Sequence, residues 1–73
     1  MDSNNLVRMA NQIGNFFEAM PDRTEALEGI AVHIKKFWEP RMRRQFLVLI
    51  DSGDPGLSEI VRSAMQQHRA LLI

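Results

Sequence analysis

The sequence predicts an all-α fold, a small bundle of four short helices packed mostly antiparallel. Three observations carry that expectation. Apolar residues recur at the 3.6-residue helical period in four separate segments. Pro21, Pro40 and the run DSGDPG at 51–56 divide those segments. The single strand-like run, FLVLI at 46–50, has no second strand with which to pair. The connections are short, which favours antiparallel neighbours, and all 73 residues are read as one domain.

The first helix is expected over about residues 5–20. Leu6, Met9, Ala10, Ile13, Phe16, Phe17 and Met20 form its core stripe. Ser3, Asn4 or Asn5 can cap its start, because a short side-chain oxygen can accept from a free backbone N–H. The second spans about 23–38. Asp22 and Glu25 resemble a capping box, and Leu27, Ile30, Ala31, Ile34, Phe37 and Trp38 repeat the spacing. Pro40 forces the next boundary and opens a third helix over about 40–50, with Met42, Phe46, Leu49 and Ile50 inward. Gly53 can end that helix, Asp54 can cap the next and Pro55 can open it. The fourth then covers about 55–69, with Leu57, Ile60, Val61, Ala64, Met65 and His68 on one face.

A domain this short buries only about 60% of the surface its unfolded chain exposes, so outside support is expected. With no Cys there is no disulfide and no thiolate metal site, which leaves a partner or a second copy as that support. Nine basic residues balance nine acidic ones, which argues against a general nucleic-acid or membrane-surface binder. No apolar run approaches the roughly 20 residues of a membrane span. The opening MDSNNLVRMANQ lacks the marks of a signal peptide, so a cytoplasmic location is expected.

No catalytic, cofactor-binding or metal-ligating constellation stands out. His33 and His68 have no carboxylate three or four residues away on their own helices. The notable segment is HIKKFWEPRMRR at 33–44, where five cations interleave with Phe37 and Trp38. That composition can bind nucleic acid or phosphate; periodicity instead assigns both aromatics to the core and Lys36 to solvent. Arg43 lies three residues before Phe46 and seven before Ile50, among apolar positions. An arginine there either pairs with an internal carboxylate or reaches into a partner. Asn4, Arg8, Asn11 and Asn15 form a stripe opposite the core, and asparagine is a poor helix former. A polar contact surface would account for it, and so would chance. Gly29, which costs about 1 kcal/mol in a helix relative to Ala, shares an outer face with Val32 and Lys36, with His33 beside them. It would allow close approach of another backbone.

At LVRMANQIGNFF (6–17), HIKKFWEPRMRR (33–44) and Gly56-Leu57 the chain resembles the delta subunit of NAD-dependent formate dehydrogenase, the soluble bacterial enzyme that uses molybdenum or tungsten. The resemblance runs from about Asn5 to Arg62 and is weakest over 18–31. It implies partners rather than a reaction. These are the larger formate dehydrogenase subunits, foremost the alpha subunit, which carries a bis-molybdopterin guanine dinucleotide and iron–sulfur clusters. The beta and gamma subunits hand electrons to FMN and NAD. The delta subunit holds no cofactor and is tied to stabilising the complex and to molybdenum cofactor insertion. By this resemblance Arg8, Asn11, Gln12, His33, Arg41 and Arg43 are contact candidates, to which the patterning adds Asn15, Gly29, Val32 and Lys36. Phe37, Trp38 and Pro40 also match the second block, with the two aromatics assigned to the core.

The leading expectation is therefore a non-catalytic accessory subunit. The competing one is a small basic helical module that binds nucleic acid through residues 33–44. A homodimer of the isolated chain stays open. Elemental analysis and absorption spectra of the purified chain should show no stoichiometric metal, flavin or pterin. A tightly bound metal or chromophore would overturn that reading.

Overall fold

A computed structural model describes residues 3–73. Four α-helices and a terminal 3₁₀ turn follow in order: α1 Ser3–Glu18, α2 Arg23–Phe37, α3 Pro40–Asp51, α4 Glu59–His68, and the turn Arg69–Leu71. There is no strand among the described residues, and FLVLI is helical. The most extensive pairing is α2 with α4, and α1 packs against all three other helices.

The helix ends follow local chemistry. Because α1 already starts at Ser3, the three expected caps Ser3, Asn4 and Asn5 are all helical residues and none of them is the N-cap. At α2 the Asp22 half of the capping box is in place: Asp22 Oδ1 accepts from Thr24 N at 2.9 Å and Glu25 N at 3.2 Å. Trp38 leaves helical dihedrals at φ −93°, ψ 139°, and Glu39 is extended as the residue before proline must be. Pro40 then opens α3. That helix closes in a Schellman motif: Gly53 N donates to Ile50 O, Asp54 N to Leu49 O, and Gly53 takes φ +74°.

The fourth helix starts at Glu59, four residues later than Pro55. Asp54 is the reason. Its Oδ1 turns back to accept from Gly56 N at 2.8 Å, and its carbonyl takes Leu57 N at 3.4 Å. Pro55 is thus consumed in an Asx turn and cannot be the first helical residue. Ser58 holds the N-cap position.

The core gathers Leu6, Ala10, Leu27, Ile30, Ile34, Phe46, Ile60, Val61, Met65 and Leu72, among others. Trp38 belongs to it at 5% exposure, its indole edge-on to Phe46 at 5.2 Å. Two aromatics expected inside are not: Phe16 is 74% and Phe37 72% exposed. The inward line of α1 is Leu6, Ala10 and Gly14, all buried; Met9, Ile13, Phe17 and Met20 are partly buried and pack against the core, and Phe16 is turned to the flank. Phe37 is the last residue of α2, and Trp38 beyond it swings onto Phe46 and fills that end of the core.

Gly14 sets the α1–α4 spacing. A Cβ there would lie 2.8 Å from Val61 Cγ2 and 3.0 Å from Ile60 Cγ2, both stiff β-branched side chains. Gly14→Leu should cost at least the ~1–3 kcal/mol of an overpacked core. For a chain this small that lowers the thermal midpoint by roughly 4–8 °C per kcal/mol. An unchanged melting curve would mean that α1 and α4 are not in close contact.

Candidate functional site

The residues singled out by sequence divide into two groups, those used inside the fold and those left on its surface. Asn11 belongs to the first. Its amide nitrogen donates to Gly56 O at 2.8 Å, and its Oδ1 accepts from Ser58 N at 2.9 Å. One side chain thus satisfies both backbone groups of a loop 45–47 residues away and positions the start of α4. Asn11 therefore faces the α3–α4 loop rather than an open polar stripe. Arg8 and Asn15 are exposed, and Arg8 Nη2 donates to Asn5 Oδ1 at 2.6 Å.

Arg43 resolves differently from either alternative. Its Nη1 donates to Lys35 O at 2.8 Å and to Trp38 O at 3.4 Å. These carbonyls lie at the C-terminal end of α2, which has no helical donors of its own to offer them. The guanidinium also meets the negative end of the helix dipole there. Arg43 is a clasp between α2 and α3, bound to backbone rather than to a carboxylate. Lys35 does a similar task, its Nζ reaching Leu71 O at 3.2 Å to tie the terminal turn to α2. The close approach expected at Gly29 is made within the chain: Phe17 covers it, with Cε1 2.5 Å from where a Cβ would stand.

Two of the surface candidates, Gln12 and His33, meet in one place. Met9, Gln12, Ile13, Phe16 and Phe17 from α1, His33 from α2, and Trp38 line an open groove of about 420 Å³. Phe16 and Phe17 meet edge to face at 5.2 Å. Phe17 meets His33 at 6.4 Å, and His33 meets Phe37 at 4.8 Å. Four rings thus run in a row over the seam between α1 and α2. Exposed large apolar residues that adjoin in this way mark interaction surfaces. Of the sequence candidates, Gln12 and His33 line the groove. Val32 is half-buried on α2, and Lys36 and Arg41 are exposed where α2 gives way to α3. Among the described residues no three His, Cys, Asp or Glu cluster as metal ligands would.

Phe16 and Phe37 are the site residues that sequence reasoning assigned elsewhere. Adjacency alone does not separate them, because the consecutive pairs Ile30-Ala31, Ile60-Val61 and Ala64-Met65 are all buried; only Phe37's place as the last residue of α2 hinted at exposure.

Asn11→Ala and Arg43→Met should each lower stability of the free chain. The expected loss is about 1–3 kcal/mol for Arg43, whose bonds are charge-assisted, and about 1–2 kcal/mol for the two bonds of Asn11. Urea denaturation of both variants is the check. Wild-type midpoints would mean that these bonds do not hold the fold.

A family model described as NADH-dependent formate dehydrogenase delta subunit FdsD matches residues 5–65 of the chain. No curated protein and no solved structure matches it.

Proposed function

The chain belongs to the NADH-dependent formate dehydrogenase delta subunit family, and from that premise we propose that it is a non-catalytic accessory subunit. It stabilises the complex, assists molybdenum cofactor insertion into the large catalytic subunit, or does both. The alpha subunit is its foremost partner, and the cytoplasm is where it works. The chain itself holds no cofactor in this reading.

The row of rings over the α1/α2 seam, exposed at its two ends Phe16 and Phe37, is the observation that best supports a binding role. A chain of 73 residues that leaves Phe16 and Phe37 in water forgoes core it can ill spare, unless a partner covers them. Four of the polar side chains are engaged as structural ties. Asp22 caps α2, Asn11 holds the α3–α4 loop, and Arg43 and Lys35 hold helix-end carbonyls. Side chains so engaged are not free to act on a substrate. Among the described residues no helix is long and apolar enough to cross a membrane.

An accessory subunit of this kind acts through mass action. A chain that binds only the folded or loadable form of its partner, at about 100 times its dissociation constant, stabilises that form by roughly 2.7 kcal/mol. Deleting the chain should therefore lower formate-dependent NAD reduction in proportion to intact complex or to molybdenum or tungsten per large subunit. Full metal content and normal assembly with lost turnover would sink the proposal and assign this chain a part in catalysis or electron transfer.

A further inference from the structure

The third helix carries its charges the wrong way round. It has arginines at 41, 43 and 44 near its start, no acidic residue in its first turn, and Asp51 as its last residue. Free N–H groups make the start of a helix positive and free carbonyls make its end negative, so cations suit the end and carboxylates the start. The fold answers two of these misplaced charges. Arg43 Nη1 donates to Lys35 O and Trp38 O at the carbonyl end of α2, and Arg69 clasps Asp51 at 2.8 and 2.9 Å. Arg41 and Arg44 are left unanswered. They stand three residues apart, so two like charges are neighbours on one helix face. Both are exposed, and among the described residues neither has a hydrogen-bond or ion-pair partner. The other arginines are engaged, Arg8 by Asn5, Arg23 by Glu59 and Arg62 by Asp54 O. Lys36 is the third unengaged cation, exposed in the last turn of α2. The bond from Arg43 to Lys35 O, the carbonyl of the peptide that leads into Lys36, holds the start of α3 beside it. Glu39, the one acid at this corner, is exposed, makes no side-chain cap bond and pairs with none of the three.

We propose that Arg41 and Arg44, with Lys36 beside them, receive an acidic segment of a larger formate dehydrogenase subunit. The inference rests on the family reading above and adds the surface and the chemistry of what covers it. Carboxylates at this corner would offset the repulsion between the two arginines and complement the positive start of α3, which no group of the chain does. A guanidinium also takes a carboxylate through two parallel bonds, which fixes geometry as well as charge. Nucleic acid suits the surface less well, because a phosphate backbone calls for a basic face or stripe and an excess of positive charge. Here the unengaged cations occupy one corner of a chain whose net charge is zero. Twofold packing of the corner on a second copy of itself would set cation against cation.

The test uses the tagged full chain expressed with the other formate dehydrogenase subunits. Arg41→Gln with Arg44→Gln should lower recovery of the complex by about tenfold. Added salt should lower recovery with wild type more than with the variant. The thermal midpoint of the purified variant should equal or exceed that of wild type, because both changes remove repulsion from the start of α3. Arg23→Gln, which breaks an exposed pair outside the corner, should leave recovery unchanged. Carbodiimide coupling in a complex built with the Arg44→Lys chain should join position 44 or Lys36 to a carboxylate of a larger subunit. If the double Gln variant assembles as well as wild type, the corner is wrong and the family reading survives. A lowered midpoint would assign both arginines to the fold and overturn the proposal. Coupling to a second copy of this chain, or recovery abolished by nuclease, would overturn the occupant. If the wild-type chain recovers no larger subunit, both readings fall.

Discussion

The approach of α1 to α4 at Gly14 is the constraint from which the rest of the molecule follows. With no Cβ at that position, α1 lies on Val61 and Ile60. That contact makes Leu6, Ala10 and Gly14 its inward line. A helix has only one inward line at a given crossing, so Met9, Ile13 and Met20 are partly buried beside it and Phe16 is turned to the flank. Met9, Ile13 and Phe16 there form one wall of the groove. The same geometry brings Asn11 to the α3–α4 loop, where its amide matches one free carbonyl and one free N–H. Core register, loop anchoring and groove thus share a single cause.

The charged residues show a similar division of labour. A net charge of zero says little about a surface once each group has a place. Arg43 and Lys35 hold helix-end carbonyls, Arg62 holds Asp54 O, and Arg69 clasps Asp51 through two bonds at 2.8 and 2.9 Å. The two ion pairs of the described residues, Arg23–Glu59 and Arg69–Asp51, are solvent-exposed and contribute little stability. The cations in HIKKFWEPRMRR therefore separate by function. Lys35 and Arg43 serve the fold, while Lys36, Arg41 and Arg44 remain exposed around the α2–α3 corner.

Much of the architecture was legible in the sequence because it rests on strong, local signals. Proline at 40, the Asp22 cap and Gly53 each act within a few residues and are where the pattern predicts, and four helices follow the four amphipathic periods, the last opening at Glu59 rather than Pro55. The burial of Trp38 was legible too. Three features were not. A periodicity count that tracks apolar side chains is blind to Gly14, so the stripe on α1 was drawn too wide and took in Phe16. Asp54 had two options, to cap a helix opened by Pro55 or to close an Asx turn on Gly56, and a contact from Asn11 at the far end of the chain accompanies the second. Arg43 stood open between an internal carboxylate and a partner, whereas helix-end carbonyls, invisible in a list of side chains, accept from it.

The division between fold and surface has a thermodynamic consequence. The core spends its large side chains economically: Phe46 and Trp38 at one end, aliphatic residues along α2 and α4, and a glycine where bulk would not fit. Phe16 and Phe37 add no comparable burial to the free chain, yet each would bury 150–250 Å² if fully covered. At about 25 cal/mol per Å² the pair represents several kcal/mol of apolar burial. That is comparable to the whole stability of a typical small domain. It is withheld from folding and stays exposed in the free chain. Covering these rings would therefore raise the stability of the small chain as well as that of whatever covers them, since a partner that binds only the folded form shifts its unfolding equilibrium. In the free chain the position of Gly14 determines which aromatic residues of α1 the core receives and which stay exposed.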